Sequence, residues 1–110
     1  MLPKKRRIKK KKDFDDIFKK GKTIKNAFFI IKIKSNELSF SRFAFIAPSK
    51  IFKKATERNE IKRRVVEAIK SVSVLDGYDV VVLIKEDVKR SSYKEIKNKM
   101  EEVLNKAELL

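Results

Sequence analysis

The sequence predicts a two-layer α+β domain in which two helices cover one face of a small sheet. Three observations predict it. Apolar and other residues alternate along residues 26–34 and again along 40–47, the period of strands. Apolar residues recur at three- and four-residue spacings over 55–72 and again from Tyr93 to Ala107, the period of helices. Between those helices stands a continuous apolar run, Val80 to Ile84, as expected of a strand buried on both faces. The order is helix, strands, helix, strand, helix, and 110 residues is the size of one domain.

Residues 1–12 hold eight Lys or Arg and no acid. They read as a basic, loosely ordered arm ahead of a single domain at 13–110. Asp13 is the expected N-cap of a short first helix, with Asp16 at its third position, Lys19 and Lys20 in its last turn and Gly21 as its stop. Phe14, Ile17 and Phe18 form its apolar stripe. In the strand at 26–34, Phe29, Ile31 and Ile33 point to the core. Phe28, Ile30, Lys32 and Lys34 point the other way, a half-apolar, half-basic face that suits RNA. Ser35-Asn36-Glu37 supplies a turn. In the strand at 40–47, Phe43, Phe45 and Ala47 share one face and Arg42, Ala44 and Ile46 the other, until Pro48 ends the ladder. These two strands are expected to form an antiparallel hairpin beside the central one.

The helix at 55–72 turns Ile61, Val65, Ala68, Ile69 and Val72 inward. Asn59, Lys62, Arg63, Val66 and Lys70 cover its far side, with Arg58 at the edge of the apolar stripe. Asp76-Gly77 turns the chain. Ser92 and Glu95 form a capping box for the last helix, whose core stripe is Tyr93, Ile96, Met100, Val103, Leu104 and Ala107.

Thirty basic residues face fifteen acidic ones, a net charge of +15. Such a field draws polyanions. The charge lies in the arm and the middle: residues 48–70 hold eight bases and three acids, whereas residues 71–110 hold seven and eight. There is no Cys and no His. That excludes disulfides, thiolate metal sites and the commonest general base and metal ligand. Two glycines cannot build a phosphate loop. Asp13, Asp15 and Asp16 fit a helix N-terminus; the competing reading is a carboxylate metal site of a stand-alone metal-dependent ribonuclease. The expectation is no catalytic residue, no metal site and no cofactor held by the protein. No apolar run approaches the ~18 residues of a membrane span, and no signal-peptide core follows the basic start, so a cytoplasmic protein is expected.

The binding constellation is more specific. Lys62 and Arg63 lie one helical turn from Arg58 and Asn59. Guanidinium groups grip phosphate bidentately and stack on bases. Asn59 can read a base edge or a sugar hydroxyl. The plain alternative is a solvated helix face, which would normally mix signs. Phe14, Phe18 and Phe28 are candidates for stacking on single-stranded RNA; Phe14 and Phe18 are equally suited to anchoring the short helix on the sheet.

Ser49-Lys50 followed by Lys54-Ala55-Thr56-Glu57-Arg58-Asn59-Glu60-Ile61-Lys62-Arg63 resembles the signature of the bacterial ribonuclease P protein family, as do Lys12-Asp13-Phe14, Phe18, Gly21, Arg42 and Asp79. The likeness covers about residues 5–107. The chain departs from the pattern at Ile51 and Lys53, at Glu60, where the signature has an arginine, and at Val66, and these positions carry no inherited role. The resemblance implies a ribosomal-protein-like αβββαβα sandwich with a left-handed βαβ crossover; residues 22–25 could supply the further strand. It implies a holoenzyme that removes the 5′ leader of precursor tRNA, with the active site and its Mg2+ in the RNA subunit. It assigns Lys50, Lys54, Arg58, Asn59, Lys62 and Arg63 to the catalytic RNA. Phe14, Phe18, Phe28, Lys32 and Arg42 go to the leader cleft. Nothing in the chain marks an obligate protein partner. A ribosomal or ribosome-assembly RNA-binding protein is the remaining alternative.

Overall fold

A computed structural model describes residues 2–110 of the chain. Its elements are α1 (Lys11–Lys20), β1 (Lys22–Lys25), β2 (Phe29–Ser35), β3 (Arg42–Ile46), α2 (Ala55–Lys70), β4 (Tyr78–Ile84) and α3 (Tyr93–Lys106), with short 3-10 segments at Lys4–Arg6 and Glu86–Arg90.

The four strands stand in the order β1-β2-β4-β3. The apolar run Val80-Val81-Val82 is fully buried because β4 takes an inner place with cover on both faces. β2 pairs with it antiparallel, Phe29 opposite Ile84, and β3 pairs with it parallel, Phe43 opposite Val80. β3, α2 and β4 thus make a βαβ crossover. This overturns the expected hairpin between residues 26–34 and 40–47. The strand that is apolar on both faces needs the doubly covered position and separates the two more polar ones.

The hairpin that does form is β1 with β2, so residues 22–25 are a strand and residues 26–28 are its turn. Asn26 builds that turn. Its Oδ1 accepts from the backbone N–H groups of Phe28 (3.0 Å) and Phe29 (2.9 Å), and its Nδ2 donates to the Lys99 carbonyl at 2.8 Å. The side chain thereby takes the place of backbone turn bonds. Phe28 therefore leaves the strand alternation. It is 8% exposed, packs edge-on against Phe29 with ring centroids 6.1 Å apart, and joins the main core.

α2 and α3 cover one face of the sheet. Phe29, Ile31, Val80 and Val82 meet Val65, Ala68, Ile69, Ile96, Met100 and Leu104 there. The capping box of α3 is present, with the Glu95 N–H donating to Ser92 Oγ and the Ser92 N–H to the Glu95 carboxylate. Tyr93, however, is 44% exposed; in the first turn of α3 it points past the edge of the core.

On the opposite face Ile8 and Ile17 bury Val81. The basic arm is therefore not loose. Ile8 donates its N–H to the Phe43 carbonyl at 3.0 Å, and Leu2 joins the main core. α1 begins at Lys11, and its N-cap Lys10 makes no side-chain cap bond. Asp13 is not the cap; it sits in the first turn, engaged with Arg42.

Gly21 ends α1 in an extended conformation (φ −74°, ψ 157°), not a left-handed one. The need for glycine is steric: a Cβ there would overlap the Ile17 carbonyl oxygen and stand 3.0 Å from that of Ile33. Both neighbours are backbone and cannot step aside. Gly21→Ala is expected to destabilise the fold by about 1–3 kcal/mol, the range for forced overpacking. Urea unfolding measures this, and a variant as stable as the parent would refute the crowding.

Candidate nucleic-acid interface

α2 holds itself to the core through Ile61, Val65, Ala68 and Ile69, which leaves two flanks. One flank carries Glu57, Glu60 and Arg64 above Phe52 and Lys89, around a hollow of about 230 Å3. Glu60 pairs with Arg64 at 3.4 Å, and Glu67 with Lys70 at 3.6 Å. The other flank carries Lys62 and Val66. Neither Lys62 nor Arg63 makes an ion pair among the described residues. Two of the three acids of α2, Glu60 and Glu67, are thus paired on their own helix, and Glu57 and Glu60 lie on the flank away from Lys62. Val66, expected on the far side of the helix, is only 4% exposed. It packs on the core below Lys62.

Lys62 and Val66 form one wall of an open cleft of about 270 Å3. Phe14 of α1 is on its lining, Ala44, Phe45 and Ile46 of β3 contribute to its floor, and Arg7 and Ile8 enter from the arm. Its charged lining residues are Arg7 and Lys62, and no carboxylate is among them. The uncovered sheet continues the apolar floor, because Ile30, Leu83 and Ile46 stand side by side in register. Phe18 is 43% exposed, and the Lys32 Nζ lies 5.9 Å from the centre of its ring, within cation–π range. Phe14, Phe18 and Lys32 therefore share the α1 side of the sheet. Phe28 does not: contrary to the expected leader-cleft position, it is buried in the core on the other side.

Arg42 is near the cleft but is held by the fold. Its Nε and Nη2 donate to the two oxygens of Asp79 at 2.9 and 2.6 Å, and its Nη1 lies 3.5 Å from Asp13 Oδ2. Asn36 Nδ2 also donates to Asp79, at 2.9 Å. The Asp79 hydrogen bonds are the main reason the Arg42 guanidinium is pushed above its already high ordinary pKa. This cluster ties the first turn of α1 to β3 and β4. Arg58 is also partly engaged: its Nη1 donates to the carbonyls of Phe52 (2.9 Å) and Lys53 (3.1 Å). It pins the loop ahead of α2, where Lys50 stands exposed. Lys54, the N-cap residue, is exposed, as are Asn59 and Arg63.

One residue escaped the sequence reading. Arg7 lines the cleft, and its Nε is, among the described residues, the one buried side-chain nitrogen or oxygen without a hydrogen-bond partner. Such an orphan costs about 1–3 kcal/mol. The available signal was Ile8, a lone apolar residue in the basic run, which marks where the arm touches the sheet. No group of three or more His, Cys, Asp or Glu side chains converges as a metal site among the described residues.

The family model described as Ribonuclease P matches residues 2–108. The chain belongs to the ribonuclease P protein family. The ribonuclease P protein component of Thermotoga maritima is 32% identical over 108 residues, covering 93% of this chain and 92% of that one. That of Thermotoga petrophila is 40% identical over 79 residues, 70% of this chain and 67% of its own length. The fold agrees: the Staphylococcus aureus RNase P protein superposes with a TM-score of 0.84 at 31% identity, covering 94% of this chain and 96% of the other. As a ribonuclease P protein, the chain is an RNA-binding subunit of a tRNA-processing ribonucleoprotein, and RNA is the polyanion its charge addresses. Among the described residues no helix is long and apolar enough to cross a membrane.

Proposed function

We propose that the chain is the cytoplasmic accessory subunit of a ribonuclease P, that it holds the single-stranded 5′ leader of precursor tRNA in the cleft, and that the catalytic RNA performs the cleavage with Mg2+ of its own. The observation that carries this reading is the cleft itself, with an apolar floor, an aromatic wall, two cations and no carboxylate. Bases stack on such a floor while phosphates meet the cations. The outward face of α2, with Asn59 and Arg63, and the loop with Lys50 and Lys54 then meet the catalytic RNA, while Lys62 turns to the cleft. The protein contributes substrate affinity and screens the repulsion between two RNAs.

The test is cleavage of a precursor tRNA at low magnesium by catalytic RNA alone, protein alone and both. Efficient cleavage is expected only with both. Cleavage by protein alone would support the stand-alone nuclease, with Asp13, Asp15 and Asp16 the first positions to change. No stimulation of the RNA, with co-purification of ribosomal RNA instead, would support the ribosome-assembly alternative.

A further inference from the structure

We infer that Arg7 is a phosphate clamp of the cleft, seating one phosphodiester of a single-stranded RNA between the N-terminal arm and α2. The inference rests on the leader reading above and adds a residue and a ligand group to it. Three observations carry it. The Arg7 Nε is enclosed by protein yet has no hydrogen-bond partner, and Arg7 makes no ion pair among the described residues. Its backbone is fixed, because Arg7 bridges Phe43 in parallel register and the next residue, Ile8, is buried and bonded to the Phe43 carbonyl. The cleft it lines also holds Lys62 and no acid.

Arg7 is half-buried and reaches the cleft from a fixed backbone with no counter-ion, and a small turn of its side chain would satisfy the unfilled Nε together with an Nη on one oxyanion. The apolar floor of Ala44, Phe45 and Ile46 beside it suits bases rather than a folded protein surface. The neighbouring basic residues differ in kind. Lys5 and Arg6 lie 5.4 and 5.8 Å from the ring of Phe40, so they are occupied away from the cleft.

The test uses the holoenzyme with Arg7→Met, Arg7→Lys and Phe14→Ala variants. Its probes are a precursor tRNA with its leader and the same tRNA without one. Arg7→Met is expected to weaken binding of the leader-bearing substrate by roughly tenfold or more, the scale of one charge-assisted bond. Binding of the leaderless tRNA stays unchanged. The log–log salt slope for the leader-bearing substrate falls by about 0.7, one phosphate's share. Arg7→Lys is expected not to restore affinity, since it lacks the fork. Thermal stability of Arg7→Met is expected to equal or exceed that of the parent, because an orphan donor is removed. A loss of stability, or full leader affinity in Arg7→Met, overturns the clamp. If Phe14→Ala still weakens leader binding in that case, the cleft reading stands without it. If neither variant affects the leader, both fall.

Discussion

Asp79→Ala is expected to lower stability by about 3 kcal/mol, the lower end for breaking a buried ion pair. Asp79 is nearly enclosed and accepts from Arg42 twice and from Asn36 once. Its removal strands the Arg42 guanidinium beside the sheet and leaves an amide donor unfilled. Arg42 retains some exposure, so water softens the loss and keeps it from the upper end. For a domain of this size the melting temperature should fall by roughly 10–20 °C. Asp13→Ala is the internal comparison. That pair is longer, 3.5 Å, with both partners about a quarter exposed, and its removal should cost under about 1 kcal/mol. Because Arg42 is pushed up in pKa, its part of the stability is fully present below the ordinary arginine range. It is lost only as pH rises through the raised value, so neutral to mildly alkaline buffers leave it intact. Equal losses from the two variants would show that Asp79 is not the anchor.

Lys62→Ala combined with Arg63→Ala is expected to weaken binding of each of two RNAs by roughly tenfold, one charge-assisted contact of about 1.5 kcal/mol apiece. Neither side chain is ion-paired among the described residues, so folding should be unaffected. The signature of lost phosphate contacts is a shallower salt dependence, by about 0.7–0.9 per contact. The two single variants should differ. Lys62 lines the cleft, so its loss should appear with leader-bearing substrate. Arg63 faces outward, so its loss should appear with the catalytic RNA. An unchanged slope in the double variant would remove this face of α2 from its role.

The elements that sequence pattern placed well are those whose pattern answers to a single neighbour. The stripe Ile61, Val65, Ala68, Ile69 and the run Val80–Ile84 name the buried face without reference to anything distant. The errors arise where a distant partner decides. The order of β2, β4 and β3 depends on which strand wins the doubly covered place, a competition across about half the chain that local alternation does not register. Phe28 alternates correctly with Phe29 until Asn26, bonded to Lys99, converts its segment into a turn. At the interface, Lys62 and Arg63 were legible as cations. That Arg42 and Arg58 spend hydrogen bonds on the protein itself depends on Asp79, Phe52 and Lys53 arriving from elsewhere. Arg7 was hidden in a basic run until Ile8 showed which part of that run is seated.

The position of β4 also has a consequence for the order in which the protein is made. It is an inner strand of the sheet yet among the last to leave the ribosome. The apolar row Ile30–Leu83–Ile46 cannot exist until Leu83 has been translated, and β3 has no strand partner before then. Such non-local pairing is slow to form. The residues made earlier already carry the whole excess of positive charge. A nascent chain is therefore attractive to any RNA well before it has a surface that can choose among them, and discrimination arrives with the final third of synthesis.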